Sequence, residues 1–162
     1  RDLEYGALDP MPFGQFAEML KKDAQVMGDY GILFETMSKL CSYLEYKAPI
    51  GLKTREAYRS GDKAAVRALV EYYRETVKRL DVFADAFRKQ WFWENRAFGW
   101  EIQEIRMGGT RARILACADR LQQYADGVID TIEELDADIL PFQDRNGFMY
   151  HMYTRAISPC NI

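Results

Sequence analysis

The chain has 162 residues, the size of a single domain, with 25 acidic and 22 basic side chains and a formal net charge of −3. So even a balance argues against a nucleic-acid module, which needs a clustered positive footprint, and an aromatic content of 14% excludes a mostly disordered chain. No run of 18 or more apolar residues exists, so no segment reads as a membrane-spanning helix.

The first predicted element opens at Pro10 and Pro12, with Asp9 as a candidate N-cap. From there Phe13, Phe16, Ala17, Leu20, Ala24, Met27, Phe34, Met37, Cys41 and Leu44 recur at three- and four-residue steps and draw one apolar stripe. The spacing predicts a long helix over 12–46. Gly28 and Gly31 interrupt it, and each costs up to about 1 kcal/mol relative to alanine, so a bend or a close helix crossing is expected there. Ala48-Pro49-Ile50-Gly51 ends this element, and a short helix follows to Arg59.

Ser60-Gly61-Asp62 breaks the chain again, with Asp62 as N-cap of a second long helix over 62–95. Its inward face runs Val66, Leu69, Val70, Tyr73, Val77, Leu80, Ala84, Phe87 and Trp91. Asn95 to Gly99 punctuate the chain before a third long helix over 99–126. That helix carries two apolar faces: Ile102, Ile105, Gly109, Ala112 and Ala116 on one, Ile114, Ala118, Leu121 and Ala125 on the other. Two faces imply a central position or a contact beyond this domain. Gly108 and Gly109, costly inside a helix, are expected to mark close packing against another backbone. Gly127 closes the helix. Thr131 and Glu134 have the spacing of a capping box for a short helix over 131–140, which Pro141 ends. The tail, 142–162, alternates like an extended segment. The expected architecture is all-α: one domain, a bundle of three long antiparallel helices with short accessory helices and an extended C-terminal tail.

A search for chemistry finds little. Glu101 with Glu104, Glu133 with Asp136 and Glu134 with Asp138 share helix faces, as carboxylates in an acidic helical chain do by chance. The only histidine, His151, is preceded three residues earlier by Phe148, so the Glu-x-x-His pattern of di-iron bundles is missing. Cys41, Cys117 and Cys160 are far apart and fit free thiols better than a disulfide framework or a zinc site. No nucleophile elbow exists, and Met107-Gly108-Gly109-Thr110 lacks the lysine and the preceding strand of a phosphate-binding loop. No catalytic residue, metal site or cofactor is expected.

One segment resists a purely structural reading. Trp91, Phe92 and Trp93 are consecutive, about 100° apart around a helix, so they cannot all enter one core stripe. Trp100 adds a further ring, and Glu94, Asn95, Arg96, Glu101, Gln103 and Arg106 place polar groups beside them. Rigid aromatics mixed with arginine are the composition of an interface hot spot, and also of a sugar-stacking wall. Trp91, Trp93, Glu94, Asn95, Arg96, Phe98, Trp100, Glu101, Gln103 and Arg106 are therefore candidates for an interface or the rim of a substrate pocket, with Gly99, Gly108 and Gly109 as close-packing positions. A corner that packs only on itself stays open as the alternative.

The same residues carry a resemblance. The run from Asn95 through Phe98-Gly99-Trp100-Glu101 and Gln103-Glu104-Ile105-Arg106 to Gly108-Gly109 is similar to the signature N-[KR]-x-F-G-[FW]-[ED]-x-Q-[DE]-I-R-x-G-G. That signature belongs to the all-helical C-terminal domain of bacterial family 20 glycoside hydrolases, the exo-acting β-N-acetylhexosaminidases. Tyr5-Gly6-Ala7-Leu8-Asp9, Ala57-Tyr58 with Gly61-Asp62, and Arg120-Leu121 with Tyr124, Gly127 and Ile132-Glu133-Glu134-Leu135 resemble other parts of it, so the likeness covers roughly residues 5–140. Residues 142–162 exceed it and are either particular to this chain or a return toward an earlier portion of a parent.

The resemblance implies a parent whose barrel holds an Asp-Glu pair, the glutamate serving as acid and base. The substrate's own acetamido group attacks the anomeric carbon, an exception to the two-carboxylate scheme. This chain has neither that pair nor the strand–helix alternation of a barrel. It is expected to be catalytically silent alone, to pack against its own catalytic barrel and to help build a homodimer of the parent, with no nucleic-acid or membrane partner. The start at Arg1 agrees with a piece of something longer, and the unpaired cysteines with a bacterial cytoplasmic parent. Two other classes compete: a free-standing helical domain that binds a partner helix, and a small ligand-binding or catalytic bundle, which needs a closed interior pocket.

Overall fold

The computed structural model describes residues 11–137. Among them the chain is all-helical, without a strand. The elements are α1 (Phe13–Ala24), a single 3₁₀ turn (Gly28–Tyr30), α2 (Gly31–Lys47), α3 (Ile50–Arg59), α4 (Lys63–Glu94), α5 (Trp100–Ala125) and the short α6 (Glu133–Asp136).

The stripe expected to form one helix over 12–46 forms two. Gly28, at φ 55°, stops α1, and the chain reverses so that α1 lies antiparallel along α2. Ser38 Oγ donates to the Ala17 carbonyl at 2.8 Å, and Gly31 sits against the Ala24 carbonyl so closely that a Cβ there would strike it. The apolar periodicity survives the break because both helices bury one face, and periodicity alone does not distinguish one rod from a hairpin. Of the three long helices expected, two are present, and the first is this hairpin.

Helix α4 sits between α2 and α5 and is antiparallel to both. Toward α2, Thr36 reaches Ala86, Arg79 donates to Ser42 Oγ at 2.9 Å, and Tyr46 stacks on Tyr72. Toward α5, Arg67 donates to the Ala125 carbonyl at 2.8 Å, Arg111 pairs with Asp81 at 3.0 Å, and Phe87 meets Trp100. Asp62 caps α4 as its sequence predicts, accepting from the Ala64 and Ala65 N–H groups at 2.8 and 3.2 Å. Val66, Leu69, Val70, Tyr73, Val77 and Leu80 form the core with Tyr43, Ile50, Ile114, Ala118, Leu121 and Ala125. Each fully buried aliphatic side chain there contributes roughly 1.5–3 kcal/mol.

The far end of α5 is closed by its own chain. Gly127 turns the backbone, and the Gly127 and Val128 N–H groups return to the Tyr124 and Gln123 carbonyls. Ile132 then plugs the end of the core. The expected capping box does not form: Ile132, not Thr131, is the residue that caps α6, no side chain bonds there, and the segment is held instead by Tyr58. Helix α6 spans four residues where 131–140 was expected. Asp9, Asp138, His151, Cys160 and the extended stretch expected over 142–162 lie outside the described residues.

Candidate functional site

The aromatic corner is built by the end of α4, the turn to α5 and the first turns of α5. Asn95 leaves the helix in extended conformation, its N–H still bonded to the Trp91 carbonyl at 2.7 Å. Gly99 re-enters with φ 94°, a left-handed backbone that side chains oppose. The Trp91 ring lies 3.3 Å from where a Cβ on Gly99 would stand, so a side chain there would crowd it. Glu101 steadies the turn by accepting the Gly99 N–H at 2.9 Å, and the Trp91 indole donates to the Arg96 carbonyl at 3.0 Å.

The consecutive rings separate as their angular spacing demands. Trp91 is half-buried and packs with Phe87, edge-on, and with Trp100, at centroid distances of 6.1 and 5.9 Å. Trp100 is buried among Phe87, Trp91 and Phe92, so it supports the corner from inside rather than presenting a surface. Its indole N–H has no acceptor among the described residues. Phe92 and Trp93 are half exposed, and Phe98, at the tip of the turn, is 88% exposed. Glu94, Asn95, Arg96, Glu101 and Arg106 are solvent-facing, whereas Gln103 is partly covered.

Sequence reasoning missed the other half of this surface. Because α1 folds back on α2, the connection between them comes to the same end of the bundle, where Tyr30 meets Trp93 edge-on at 6.3 Å. Val26 and Met27 are exposed beside it in the chain. The stripe reading placed Met27 inside. The usable signal was Gly28 and Gly31 bracketing Tyr30, which marks a turn once the hairpin is granted. Among the described residues, one end of the domain thus leaves Val26, Met27, Tyr30, Phe92, Trp93 and Phe98 exposed. Monomeric proteins rarely gather so much exposed apolar surface at one place.

The second correction concerns α5. Gly108 and Gly109 are exposed, with no atom within 4 Å of a Cβ placed on either, so among the described residues they serve no close packing. Of the two apolar faces, that of Ile114, Ala118, Leu121 and Ala125 is buried against α4. Ile105, Gly109, Ala112 and Ala116 point outward.

One member of each of two candidate carboxylate pairs has a structural contact: Glu101 holds the Gly99 turn, and Asp136 accepts the Tyr58 hydroxyl at 2.8 Å. No group of His, Cys, Asp and Glu there could hold a metal ion. Cys41 and Cys117 are free, and burial pushes the Cys41 thiol up. The space between α4 and α5 is an open cleft of about 280 Å³, bordered by Asp81, Arg88, Trp100, Glu104 and Arg111, and not the closed pocket a small enzyme needs. No described helix is long and apolar enough to cross a membrane.

Fold and surface together define an all-helical domain with a solid core, one closed end and one uncovered aromatic end. The chain belongs to the Glycoside Hydrolase 20C C-terminal domain family, whose model matches residues 7–154. It is therefore a domain type found in family 20 glycoside hydrolases, and the match runs past residue 140, taking most of the tail into the family. No curated protein matches the chain.

Proposed function

We propose that the chain is the non-catalytic C-terminal domain of an exo-β-N-acetylhexosaminidase. In this reading it braces the catalytic barrel carried elsewhere in the parent, which releases terminal β-linked N-acetylhexosamine, and contributes to the parent's homodimer. The observation that carries the reading is the uncovered end of the bundle. Six large apolar side chains face solvent there on a frame whose turn is fixed by Gly99, Glu101 and Trp91. Surface of this kind, in a chain of this family, needs a covering partner, and the catalytic portion of the same enzyme is the nearest one.

The role is mechanical rather than chemical. Trp93 and Phe98 act as apolar anchors, Arg96 and Arg106 as polar rim, and Trp91 with Trp100 as the rigid support behind them. A docked domain of this sort raises the population of the active barrel conformation by mass action on folding.

Complementation tests it. The remainder of the parent is expressed without this chain, and hydrolysis of an aryl β-N-acetylglucosaminide is followed with and without the added chain. Activity is expected only from the two together, none from the chain alone, and Trp93→Ala with Phe98→Ala should raise the half-saturating chain concentration by about tenfold or more. A remainder that is fully active and indifferent to the chain overturns the proposal.

A further inference from the structure

The outward face of α5 has a charge pattern that fits a definite kind of partner. Arg67, Arg74, Arg79 and Arg111 are each ion-paired within the chain. Arg106, Arg113 and Arg120 are exposed and have no ion-pair partner among the described residues. Their spacing of seven residues turns each about 20° short of two full turns, so the three guanidinium groups line one edge of the helix at intervals of about 10 Å.

Beside this edge runs the uncovered apolar face. Ile105, Gly109, Ala112 and Ala116 follow the i, i+4, i+7, i+11 pattern of a buried stripe, yet Ile105 is half exposed and the others face solvent. Each glycine of the Gly108–Gly109 pair costs the helix about 1 kcal/mol relative to alanine, and the described chain gains no contact in return. Such a low stripe admits a second helix at the short end of the usual 8–10 Å interaxial range. A flat apolar stripe with a cationic edge at heptad spacing is complementary to a helix with small apolar residues and a matching row of carboxylates. Self-pairing fits less well. An antiparallel second copy sets the arginine edge against its own kind, and a parallel one offers Glu101, Glu104 and Asp119, of which Glu101 already accepts the Gly99 N–H and Glu104 borders the cleft with α4.

We propose that this face of α5 seats an acidic-edged amphipathic helix of the parent's catalytic portion, with carboxylates against Arg106, Arg113 and Arg120 and small side chains against Ile105 to Ala116. The proposal rests on reading the chain as a domain of a larger enzyme, and adds a second contact surface and the chemistry of what covers it.

The test measures the affinity of the chain for the separately expressed remainder by titration calorimetry at low and high salt. Ala112→Arg, at an exposed helical position, should leave the chain's own unfolding midpoint unchanged and weaken association about tenfold or more. Replacing Arg106, Arg113 and Arg120 together by Glu should weaken it further and reverse its salt dependence, while replacing them by Lys should keep the affinity within a few fold. If the α5 variants bind like the parent chain while Trp93→Ala and Phe98→Ala bind poorly, this inference falls and the proposed function stands. If the remainder shows no affinity for the unaltered chain, both fall. A homodimer of the chain abolished by Ala112→Arg, or a gain in affinity on removing residues 138–162, would assign the face to another occupant and overturn the inference.

Discussion

Both ends of the bundle carry aromatic residues, and among the described residues only one end covers them. At the end where α4 begins, Tyr58 packs at a tilt against Tyr124 at 4.9 Å, its hydroxyl accepts the Ile132 N–H and donates to Asp136, and Ile132 fills the gap between helices. Lys63 lies over the Tyr124 ring and donates to the Tyr124 carbonyl, and Arg67 reaches the last carbonyl of α5. Apart from Val128 and Met11, the large apolar side chains there are covered among the described residues. At the other end the polar groups of the turn are likewise satisfied, by Glu101 and Trp91, but the rings that the turn displays are bare. The turn at that end thus holds apolar side chains in a fixed arrangement while leaving them in contact with water. The difference between the ends is one of cover, not of order.

Removing a side chain from the covered half should have the largest effect. Leu121 is almost fully buried where α5 crosses α4, and Leu121→Ala deletes its contacts and leaves a cavity. A loss of about 2–5 kcal/mol in urea-induced unfolding is expected. A value below 1 kcal/mol would mean that this half is as loosely held as the other, and the contrast between the ends would dissolve. Gly99→Ala should come next. It places a Cβ on a left-handed backbone and brings it 3.3 Å from the Trp91 ring, so both effects act in the same direction. A cost of about 1–3 kcal/mol is expected, with a change in tryptophan fluorescence as Trp91 shifts against Trp100. Because Gly99 lies in the frame and not on the displayed surface, a neutral outcome would show that the open end is not preorganised.

How much of this was legible in the chain depends on where the physical information lies. Helices α4 and α5 were read to within a residue at each end, because Asp62, Gly99 and Gly127 punctuate them and their buried stripes are unbroken. The corner was legible from three consecutive rings that no single helix face can absorb. The hairpin was not, since whether Gly28 bends or reverses the chain is settled by Ser38 meeting Ala17 and by Gly31 meeting Ala24, contacts that local sequence does not record. Tyr30 was lost with it. The cost of Gly108–Gly109 was visible, but its reason was sought inside the chain, and the described residues leave that side of α5 open.

The smallest expected effects draw the comparison most finely. Tyr58→Phe at the closed end removes one hydroxyl that both accepts and donates, and should cost about 1 kcal/mol at neutral pH. Phe98→Ala at the open end removes a whole ring and should stay within about 0.5 kcal/mol, because that ring touches mainly water. Alkali separates them further. Burial holds the Tyr58 hydroxyl above the ordinary phenol value, against the Ile132 N–H and with the help of Asp136. The folded state therefore keeps a proton that the unfolded chain releases near pH 10, so this contribution is intact below about pH 10 and fades as pH rises through the higher folded value. Burial shifts Tyr43, Tyr72 and Tyr73 in the same direction, so Tyr58→Phe should lessen the alkaline loss of stability without abolishing it. Phe98→Ala should leave that loss as it is. Were Phe98→Ala to cost as much as Tyr58→Phe, the aromatic end would be part of the chain's own core, and the case for a partner there would fail on stability data alone.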